Sequence, residues 1–450
     1  MREDTDMQYG EATPDKEQDR QYRRELRRKR RKRNQLAAYT AVVVLIALFA
    51  MGIVMGVQAL SGYGKHDTQE KQDKVEELLA TESSIAVPEQ PTETIVELTD
   101  EQKLDEIVDA GIAVMPLEDK VAGLFIVTPE AITGVDTAVK AGDGTKEALG
   151  KYSVGGIVYF GKNMRSEEQL KEMIDNTRLY ANYPLFIAVD EEGGSVSRMA
   201  AAGIGTKVDT AQAIGETKDP AKAYEAASTI GGYLSELGFN LNFAPVADLN
   251  NVEGSTIGDR SYGSDATEVS EYVSNAVTAM EEQGVTACLK HFPGIGSTSE
   301  DTHDGRAISE RTAEEFSAEE FAVFRAGIDA GADMVMVGHV IVPALTEQEE
   351  GIPCSLSEEV VTGILREEMD FDGVIITDAM NMGAISEYYE SDQAAVLALR
   401  AGCDMILMPE DFEKAYNGVL QAVQDGTISE ERINDSLRRI YRIKYADKIR

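Results

Sequence analysis

Eight short apolar runs, rich in β-branched residues, recur along the chain between longer stretches with helical periodicity. The runs cover residues 121–127, 155–160, 185–190, 241–246, 284–289, 333–337, 374–377 and 404–408. The helical stretches between them include residues 167–180, 220–237, 265–283, 313–327, 357–369 and 393–401. Continuous apolar strands that alternate with helices are typical of a parallel sheet covered on both faces. Eight such units within about 330 residues predict an α/β protein with a single (β/α)8 barrel of the TIM type.

A doubly wound open sheet is the alternative architecture for the same alternation of strands and helices. Many sheets of that kind bind dinucleotides through a G-x-G-x-x-G loop after the first strand. The glycine pairs of this chain, Gly155 with Gly156 and Gly193 with Gly194, do not follow that spacing. The sequence therefore gives a dinucleotide site little support, and we expect no cofactor.

The N-terminal region has a different pattern of hydrophobic and polar positions. Residues 36–60 contain no charged side chain and are mostly apolar, which exceeds the roughly 20 residues needed to cross a bilayer and the shorter apolar core of a cleaved signal peptide. Ten Lys or Arg residues fall within residues 20–33, and such clusters remain on the cytoplasmic side. We therefore predict a cytoplasmic basic arm at 1–35, a single-pass transmembrane anchor at 36–60 and a catalytic domain outside the cell membrane.

Charge and linker composition divide the remainder of the chain. Residues 61–98 are polar and contain Pro88 and Pro91, which predicts an extended stalk before a catalytic domain at 99–450. Residues 1–35 hold 12 basic and 8 acidic residues, whereas the rest hold 31 basic and 72 acidic residues. So acidic a domain repels polyphosphates, and we exclude nucleic acid as a partner. The only partners we expect are the membrane and a substrate.

The cysteines predict neither a disulfide framework nor a structural metal site. The three residues, Cys288, Cys354 and Cys403, show no regular spacing and no C-x-x-C pattern. Cys288 and Cys403 lie within apolar segments and are interpreted as small core residues with free thiols.

Polar residues follow the ends of five predicted strands. Asp190, Asp248 and His339 come after the third, fourth and sixth strands, Lys290 and His291 follow the fifth, and Asp378 ends the seventh. In a (β/α)8 barrel, these strand ends meet on one face, which carries the active site. The pattern predicts one site on this face, although any single Asp among these residues is also consistent with a strand-end cap.

The most informative segment is residues 290–303, which contains two of the four histidines of the chain. Lys290 and His291 begin it, a loop with Pro293 follows, and Asp301 precedes His303 by two residues. A carboxylate beside a histidine can hold one tautomer and stabilise the charged imidazole, as a proton carrier requires. We interpret Asp301 and His303 as an acid/base pair rather than as an incidental polar loop.

A carboxylate nucleophile towards a sugar is the natural partner of such a proton carrier. Asp378 follows four apolar strand residues, and a rigid carboxylate at the barrel mouth suits attack on an anomeric carbon. Retaining glycosidases place a second carboxyl group across the scissile bond. From the residues alone, Glu191, Glu192 and Glu300 are alternatives to His303 for that role, though none is better placed.

The region from about residue 115 onwards resembles glycoside hydrolase family 3, of the β-N-acetylglucosaminidase (β-N-acetylhexosaminidase) type. The resemblance rests on the segments 121–125 (VAGLF), 188–194 (AVDEEGG), 258–263 (GDRSYG), 290–303 and 375–380 (IITDAM). It implies a (β/α)8 fold and a double displacement with retention of configuration. Ile295 and Thr302 depart from residues common in the family, but neither position carries a proton-transfer group.

The resemblance also implies a role for each matching residue. Asp378 matches the nucleophile, His303 the acid/base residue and Asp301 its dyad partner. Asp190, Arg198, Arg260, Lys290 and His291 match the positions that bind the N-acetylglucosamine unit.

We therefore expect an exo-β-N-acetylglucosaminidase acting on amino-sugar glycans, with peptidoglycan fragments as the natural substrate. We also expect no second domain after the basic helix at 431–450, which favours this activity over a β-glucosidase. Two alternatives remain open: an N-acetylglucosaminide phosphorylase, and a non-catalytic protein that binds cell-wall glycans. A metal-dependent hydrolase is the least favoured hypothesis. The ligands of its metal ion would come from Asp190, Glu191, Glu192, His291 and His339.

Overall fold

The computed structural model describes residues 99–346 and 351–446. The predicted arm at 1–35, anchor at 36–60 and stalk at 61–98 lie outside these residues. One compact unit, residues 108–444, contains the whole barrel. The described residues of the second unit, 99–107 and 445–446, contain the start of the first helix and the end of the last one. Within the described ranges, no helix has both the length and the apolar character needed to span a membrane.

Eight parallel strands close into a barrel in which each barrel strand pairs with the next one along the chain. The strands of the described residues are β1 (Phe125–Val127), β2 (Gly156–Val158), β3 (Phe186–Val189), β4 (Glu191–Gly193), β5 (Val196–Ser197), β6 (Leu241–Asn242), β7 (Thr286–Phe292), β8 (Met334–Val337), β9 (Val374–Ala379) and β10 (Met405–Leu407). The short β4 and β5 form an antiparallel pair outside the barrel. Pairing of β1 with β10, through Phe125 with Ile406, closes the ring. The predicted barrel is confirmed, and the open sheet is excluded.

Helices connect the barrel strands in sequence order. They span Asp100–Ala113, Leu117–Ala122, Pro129–Thr133, Asp143–Lys151, Glu167–Tyr180, Arg198–Ala201, Ala211–Glu216, Ala221–Leu237, Ala266–Glu282, Ala313–Ala318, Glu320–Ala330, Gly383–Ser386, Ser391–Ala401, Phe412–Gln424 and Glu430–Ala446. A π-helix covers Glu359–Glu368, and 3-10 turns cover Gly161–Asn163, Gly258–Arg260, Ile295–Ser297 and Cys354–Leu356. Side-chain caps fix several helix starts, since Ser166 and Asp265 each accept a backbone N–H from the first turn.

Every predicted apolar run contains a barrel strand, but several boundaries differ from the prediction. The fifth run, predicted at 284–289, corresponds to β7 (Thr286–Phe292), so Lys290 and His291 lie within this strand and not after it. The run at 121–127 begins inside the helix Leu117–Ala122, because Val121 is buried there as completely as a strand residue. The helix predicted at 313–327 is two helices separated at Glu319. The segment predicted at 357–369 forms the π-helix.

The barrel core consists of strand side chains that are buried on both faces of the sheet. All the residues of β1, β3 and β8 are buried. The three cysteines are free and buried, and burial raises the pKa of the Cys354 and Cys403 thiols to about 12. This core fixes the strand ends on which the polar residues lie.

Candidate active site

The carboxyl ends of the strands bring the predicted residues to one face of the barrel. Asp190 follows β3, Lys290 and His291 lie within β7, and Asp378 lies near the end of β9. The barrel strands all run parallel around the closed ring, so their carboxyl ends share one face.

Four charged residues on this face form a buried ion cluster: Asp190, Glu192, Arg260 and Lys290. Lys290 Nζ lies 2.8 Å from Asp190 Oδ1 and 2.6 Å from Glu192 Oε1. Arg260 binds Glu192 through both its Nε and Nη2 atoms, each at 2.8 Å. The Lys290 side chain is only 3% exposed. A buried charge is tolerated only with partners of this quality, so the cluster holds its cations in one geometry.

The charge states of the ion cluster follow from these contacts. Burial alone would raise the pKa of Glu192, but the ammonium of Lys290 and the guanidinium of Arg260 lower it to about 2. Burial would likewise lower the pKa of Lys290, but Asp190 and Glu192 raise it above its ordinary value. Both residues therefore remain charged at neutral pH.

The buried carboxylate of Asp248 holds His291 and the loop that follows it. Its Oδ2 atom lies 2.7 Å from His291 Nδ1 and accepts the His291 backbone N–H at 3.0 Å. Its Oδ1 atom accepts the backbone N–H of Ile295 at 2.7 Å. Ile295 contributes through its backbone, which is consistent with the tolerance expected at this position.

Asp378 is partly exposed at the end of β9, where a nucleophile must reach a substrate. Burial would raise its pKa, but the nearby His291 imidazole, the Ala379 N–H and the Lys290 ammonium hold it below its usual range. The Ala379 N–H donates to Asp378 Oδ1 at 2.7 Å. Asp378 is therefore an ionised carboxylate on a rigid strand.

His339 packs behind Asp378 and is fully buried. Its Nε2 lies 3.1 Å from the carbonyl oxygen of Ala379, which can only accept, so Nε2 carries the proton and Nδ1 accepts from the Ser355 hydroxyl at 2.7 Å. Burial lowers the pKa of this imidazole, which keeps it neutral. Both nitrogens of His339 are engaged, and no cluster of three or more His, Cys, Asp or Glu residues in the described part of the chain is arranged to hold a metal ion.

The Asp301–His303 pair lies on an exposed loop after β7. A single oxygen, Asp301 Oδ1, accepts the His303 backbone N–H at 2.8 Å and lies 2.9 Å from His303 Nδ1. Burial would raise the pKa of Asp301, but the His303 hydrogen bonds and the charge of Arg260 lower it. An ionised Asp301 fixes the proton on Nδ1 and leaves Nε2 for proton exchange. The His303 side chain is 68% exposed, so substrate can reach it.

The other carboxylates near the site have structural partners. Glu191 is buried, accepts from the Ser197 hydroxyl at 2.5 Å and from the Tyr233 hydroxyl at 2.8 Å, and thereby ties the β4–β5 hairpin to the helix Ala221–Leu237. Glu300 accepts the Ile308 backbone N–H at 2.8 Å. This bond closes the base of the dyad loop, residues 299–308, which carries Asp301 and His303. Glu192 belongs to the ion cluster. None of the three is arranged as the acid/base group.

Arg198 begins the short helix Arg198–Ala201 and contacts an aromatic ring. Its guanidinium carbon lies 5.8 Å from the centre of the Phe160 ring, which follows β2. Its Nε atom is buried and has no hydrogen-bond partner among the residues that the structure describes. An unpaired buried donor is costly without a ligand, so a substrate oxygen is a suitable partner for it.

Comparison of the sequence with protein-family models shows which family the chain belongs to. Residues 116–443 match the glycosyl hydrolase family 3 N terminal domain. This chain belongs to glycosyl hydrolase family 3.

Curated relatives of this family 3 protein are named as hexosaminidases. It is 31% identical over 325 residues to Beta-hexosaminidase A of Pseudoalteromonas piscicida, covering 66% of this chain and 54% of the relative. It is 34% identical over 298 residues to the Beta-hexosaminidase of Idiomarina loihiensis, covering 65% of this chain and 88% of the relative. The chain thus spans about half the length of the first enzyme and most of the second.

Among solved structures, the family 3 protein is similar to a glycoside hydrolase family 3 beta-N-acetylglucosaminidase from Paenibacillus sp. str. FPU-7. The TM-score is 0.70 at 38% identity, covering 75% of this chain and 63% of the other. The beta-N-acetylhexosaminidase of Beutenbergia cavernae matches with a TM-score of 0.66 at 27% identity, covering 74% of this chain and 99% of the other.

Sequence patterns placed three further residues near the site but did not reveal the contacts by which they hold it together. Asp248 orients His291, Glu192 joins Lys290 to Arg260, and His339 supports the strand of Asp378. Each stands at or just after a strand end, so position along the chain marks all three. Their partners come from other strands, and spacing along one sequence does not reveal such contacts.

Proposed function

We propose that this family 3 protein is a retaining exo-β-N-acetylglucosaminidase that removes terminal β-linked N-acetylglucosamine from amino-sugar glycans. The observation that carries the proposal is the exposed His303 bound through Nδ1 to the ionised Asp301, on the same barrel face as the ionised Asp378. The names of the curated relatives support the amino sugar as the substrate unit.

The first step of the proposed reaction forms a covalent intermediate. Asp378 attacks the anomeric carbon while His303 Nε2 gives its proton to the glycosidic oxygen, and the bond between that carbon and oxygen breaks. The aglycone leaves as an alcohol, and the sugar remains as an ester of Asp378. The carboxylate of Asp301 stabilises the imidazole while it carries the extra proton.

The second step returns the enzyme to its starting state. Neutral His303 takes a proton from water, the resulting hydroxyl attacks the anomeric carbon, and the Asp378 carboxylate leaves. Two inversions give net retention. Asp190, Arg260 and Lys290 in the ion cluster, with His291 and Arg198, would bind the sugar through directional, charge-assisted hydrogen bonds.

We also propose that the catalytic domain is displayed outside the cell membrane and acts on peptidoglycan fragments. The uncharged residues 36–60 and the basic residues before them support an anchor with a cytoplasmic N-terminus. Alkaline carbonate extraction of membranes tests the anchor, since an anchored protein stays in the pellet and a peripheral one is released.

The primary test measures hydrolysis of 4-nitrophenyl N-acetyl-β-glucosaminide by the full-length protein, with the β-glucoside in parallel. We expect release from the N-acetylated substrate only. Asp378→Ala and His303→Ala should each lose on the order of 10²–10⁴ of kcat/KM. Asp304→Asn is the matched control, because it removes a charge next to His303 without touching the proposed chemistry.

Other outcomes of that test contradict specific parts of the proposal. Preference for the glucoside overturns the substrate, and α-configured initial product in NMR overturns retention. Rate acceleration by phosphate with formation of a sugar 1-phosphate identifies a phosphorylase, in which phosphate takes the place of water in the second step. Glycan binding without turnover identifies a non-catalytic protein.

A further inference from the structure

The start of the helix Gly383–Ser386 is capped by the loop that carries the acid/base pair. The first backbone N–H groups of a helix have no partner within the helix, and the preceding residue, Met382, provides no side-chain cap. Instead, the Gly383 N–H donates to the His303 carbonyl oxygen at 3.1 Å, and the Ala384 N–H donates to that of Thr302 at 3.0 Å. The backbone of His303 is therefore bonded to the segment that follows the candidate nucleophile.

A side-chain contact joins the same two segments further out. The guanidinium carbon of Arg306 lies 4.1 Å from the centre of the Tyr388 ring. Arg306 follows His303 by three residues, and Tyr388 follows the helix by two. Tyr388 is 47% exposed, so its ring face is open to the guanidinium. Stacking of a guanidinium on an aromatic face is favourable even at an exposed site.

A glycine at position 383 makes the backbone contact possible. A Cβ atom on Gly383 would lie 2.7 Å from the His303 carbonyl oxygen and 3.2 Å from Gly305 N. Because both neighbours are backbone atoms, no side-chain rotation relieves such a clash. A residue larger than glycine must therefore push the loop outward and move His303.

Gly296, near the start of the loop, is also packed against backbone atoms. It is buried, and a Cβ on it would lie 1.8 Å from the Leu249 carbonyl oxygen. The loop is anchored at its start by this close packing and near its middle by the helix Gly383–Ser386.

We propose that Gly383, Arg306 and Tyr388 form a loop clamp that positions His303 relative to Asp378. The effect of the clamp on catalysis rests on the proposed function, in which His303 is the acid/base residue and Asp378 is the nucleophile. Gly383 follows Asp378 by five positions in one segment, with four residues between them. The clamp therefore attaches the proton donor to the same short segment that carries the nucleophile.

The chemical consequence concerns protonation of the leaving group. A displacement of about 1 Å in a catalytic group can cost on the order of 100-fold in rate. General acid assistance matters most for a poor leaving group and least for an activated phenolate. Damage to the clamp should therefore lower kcat/KM for phenyl N-acetyl-β-glucosaminide more than for the 4-nitrophenyl substrate, whereas a defect in sugar binding would affect both equally.

The experiment uses the full-length protein with three pairs of variants. Gly383→Ala moves the backbone, and Gly363→Ala is its control, because that glycine has no close neighbour other than the Glu358 carbonyl oxygen at 3.9 Å. Tyr388→Leu removes the ring, and Tyr388→Phe restores it. Arg306→Met removes the charge, and Arg306→Lys restores it.

We expect Gly383→Ala to lower kcat/KM for the phenyl substrate by roughly ten- to a hundredfold. Tyr388→Leu and Arg306→Met should each lower it by about two- to fivefold. The conservative variants should recover most of the rate. The double variant that combines Tyr388→Leu with Arg306→Met should lose no more activity than either single variant, because the two residues form one contact. Equal losses on both substrates, or additive losses in the double variant, would overturn the clamp.

Hydrogen exchange of the backbone amides separates the clamp from the proposed activity. Amides of residues 299–308 and 383–388 should exchange faster in Tyr388→Leu than in the wild type or in Tyr388→Phe. An inactive wild type with this exchange pattern leaves the clamp standing and rejects the proposed function. Unchanged exchange in both Tyr388→Leu and Gly383→Ala rejects the clamp whatever the activity.

Discussion

The ion cluster and the dyad loop are two charged regions of one barrel face, and they are built in opposite ways. In the cluster, Lys290 and Glu192 are almost completely buried and hold each other at 2.6 Å. In the loop, Asp301 and His303 hold each other at 2.9 Å with both side chains exposed to solvent. The cluster is built around Lys290 of the barrel strand β7, whereas the loop that carries Asp301 and His303 is attached through a few contacts, including those of its backbone with Gly383 and Ala384.

This difference matches the two tasks that a glycosidase must perform. Sugar binding needs donors and acceptors that do not move, and desolvated partners provide that rigidity. Proton transfer needs a group that exchanges protons with the substrate and later with water. We infer that stability and activity respond separately to changes in the two regions.

The largest effect on stability should come from Glu192→Gln. The change leaves Lys290 and Arg260 buried with half of their negative partners removed, and breaking a buried pair typically costs about 3–5 kcal/mol of unfolding free energy. Urea unfolding measures this. Glu413→Gln is the control, since Glu413 pairs with Lys151 at the surface and should change little. Equal midpoints for the two variants would refute the assignment of Glu192 to a desolvated cluster.

Asp301→Asn should give the opposite result. It removes the charge that orients His303, and we expect kcat/KM to fall by on the order of 10²-fold or more. The unfolding free energy from urea titration should stay within about 0.5 kcal/mol of the wild-type value, because the pair is exposed. Activity assays and urea unfolding on the same preparation test both statements. A large loss of stability with normal activity would reverse the roles assigned to the two regions.

Glu320 lies between the two regions and should give a smaller, pH-dependent effect. It is 1% exposed, and its Oε1 accepts from Arg311 and from Asn251, each at 2.9 Å, so it joins the end of the dyad loop to the loop after β6. Its other oxygen is buried without a partner among the described residues. Burial raises its pKa to about 7, although Arg311 opposes the shift.

The sign of the effect follows from this raised pKa. The folded protein binds a proton at Glu320 more tightly than the unfolded chain does, so its contribution to stability is full below about pH 4.5 and is lost as pH rises through 7. Unfolding free energy should fall by up to roughly 2–3 kcal/mol between pH 5 and pH 8 on this account. Glu320→Gln should flatten that slope in urea titrations, and Glu314→Gln, a change at an exposed glutamate of the preceding helix, should not. Parallel slopes for both variants would show that Glu320 is ionised throughout.

The fold was accessible from the sequence because its strands are continuous apolar runs. Each predicted run contains one barrel strand, and the helix Glu167–Tyr180 has its predicted bounds. Errors arose where burial hides the secondary structure. Val121 is equally buried in a helix or a strand, and the break at Glu319 interrupts no hydrophobic periodicity.

The site was accessible only as far as strand ends reveal it. The location of Asp190, Lys290 and Asp378 at strand ends predicted that they are neighbours. In the structure, Lys290 directly contacts Asp190. Three consecutive acidic residues at 190–192 cannot be distinguished by spacing. In the structure, the hairpin of β4 and β5 directs Glu191 towards Ser197 and Tyr233, and Glu192 towards Lys290. The catalytic roles themselves remain predictions for the kinetic tests above.

The burial of all three cysteines has a practical consequence for watching the dyad loop in solution. Their thiols are shielded and hard to ionise, and only the thiolate reacts with alkylating labels. One cysteine introduced at an exposed loop position such as Asp304 would therefore be modified selectively in the otherwise unaltered protein. A spin or fluorescent probe attached there would report loop opening during turnover without a cysteine-free background.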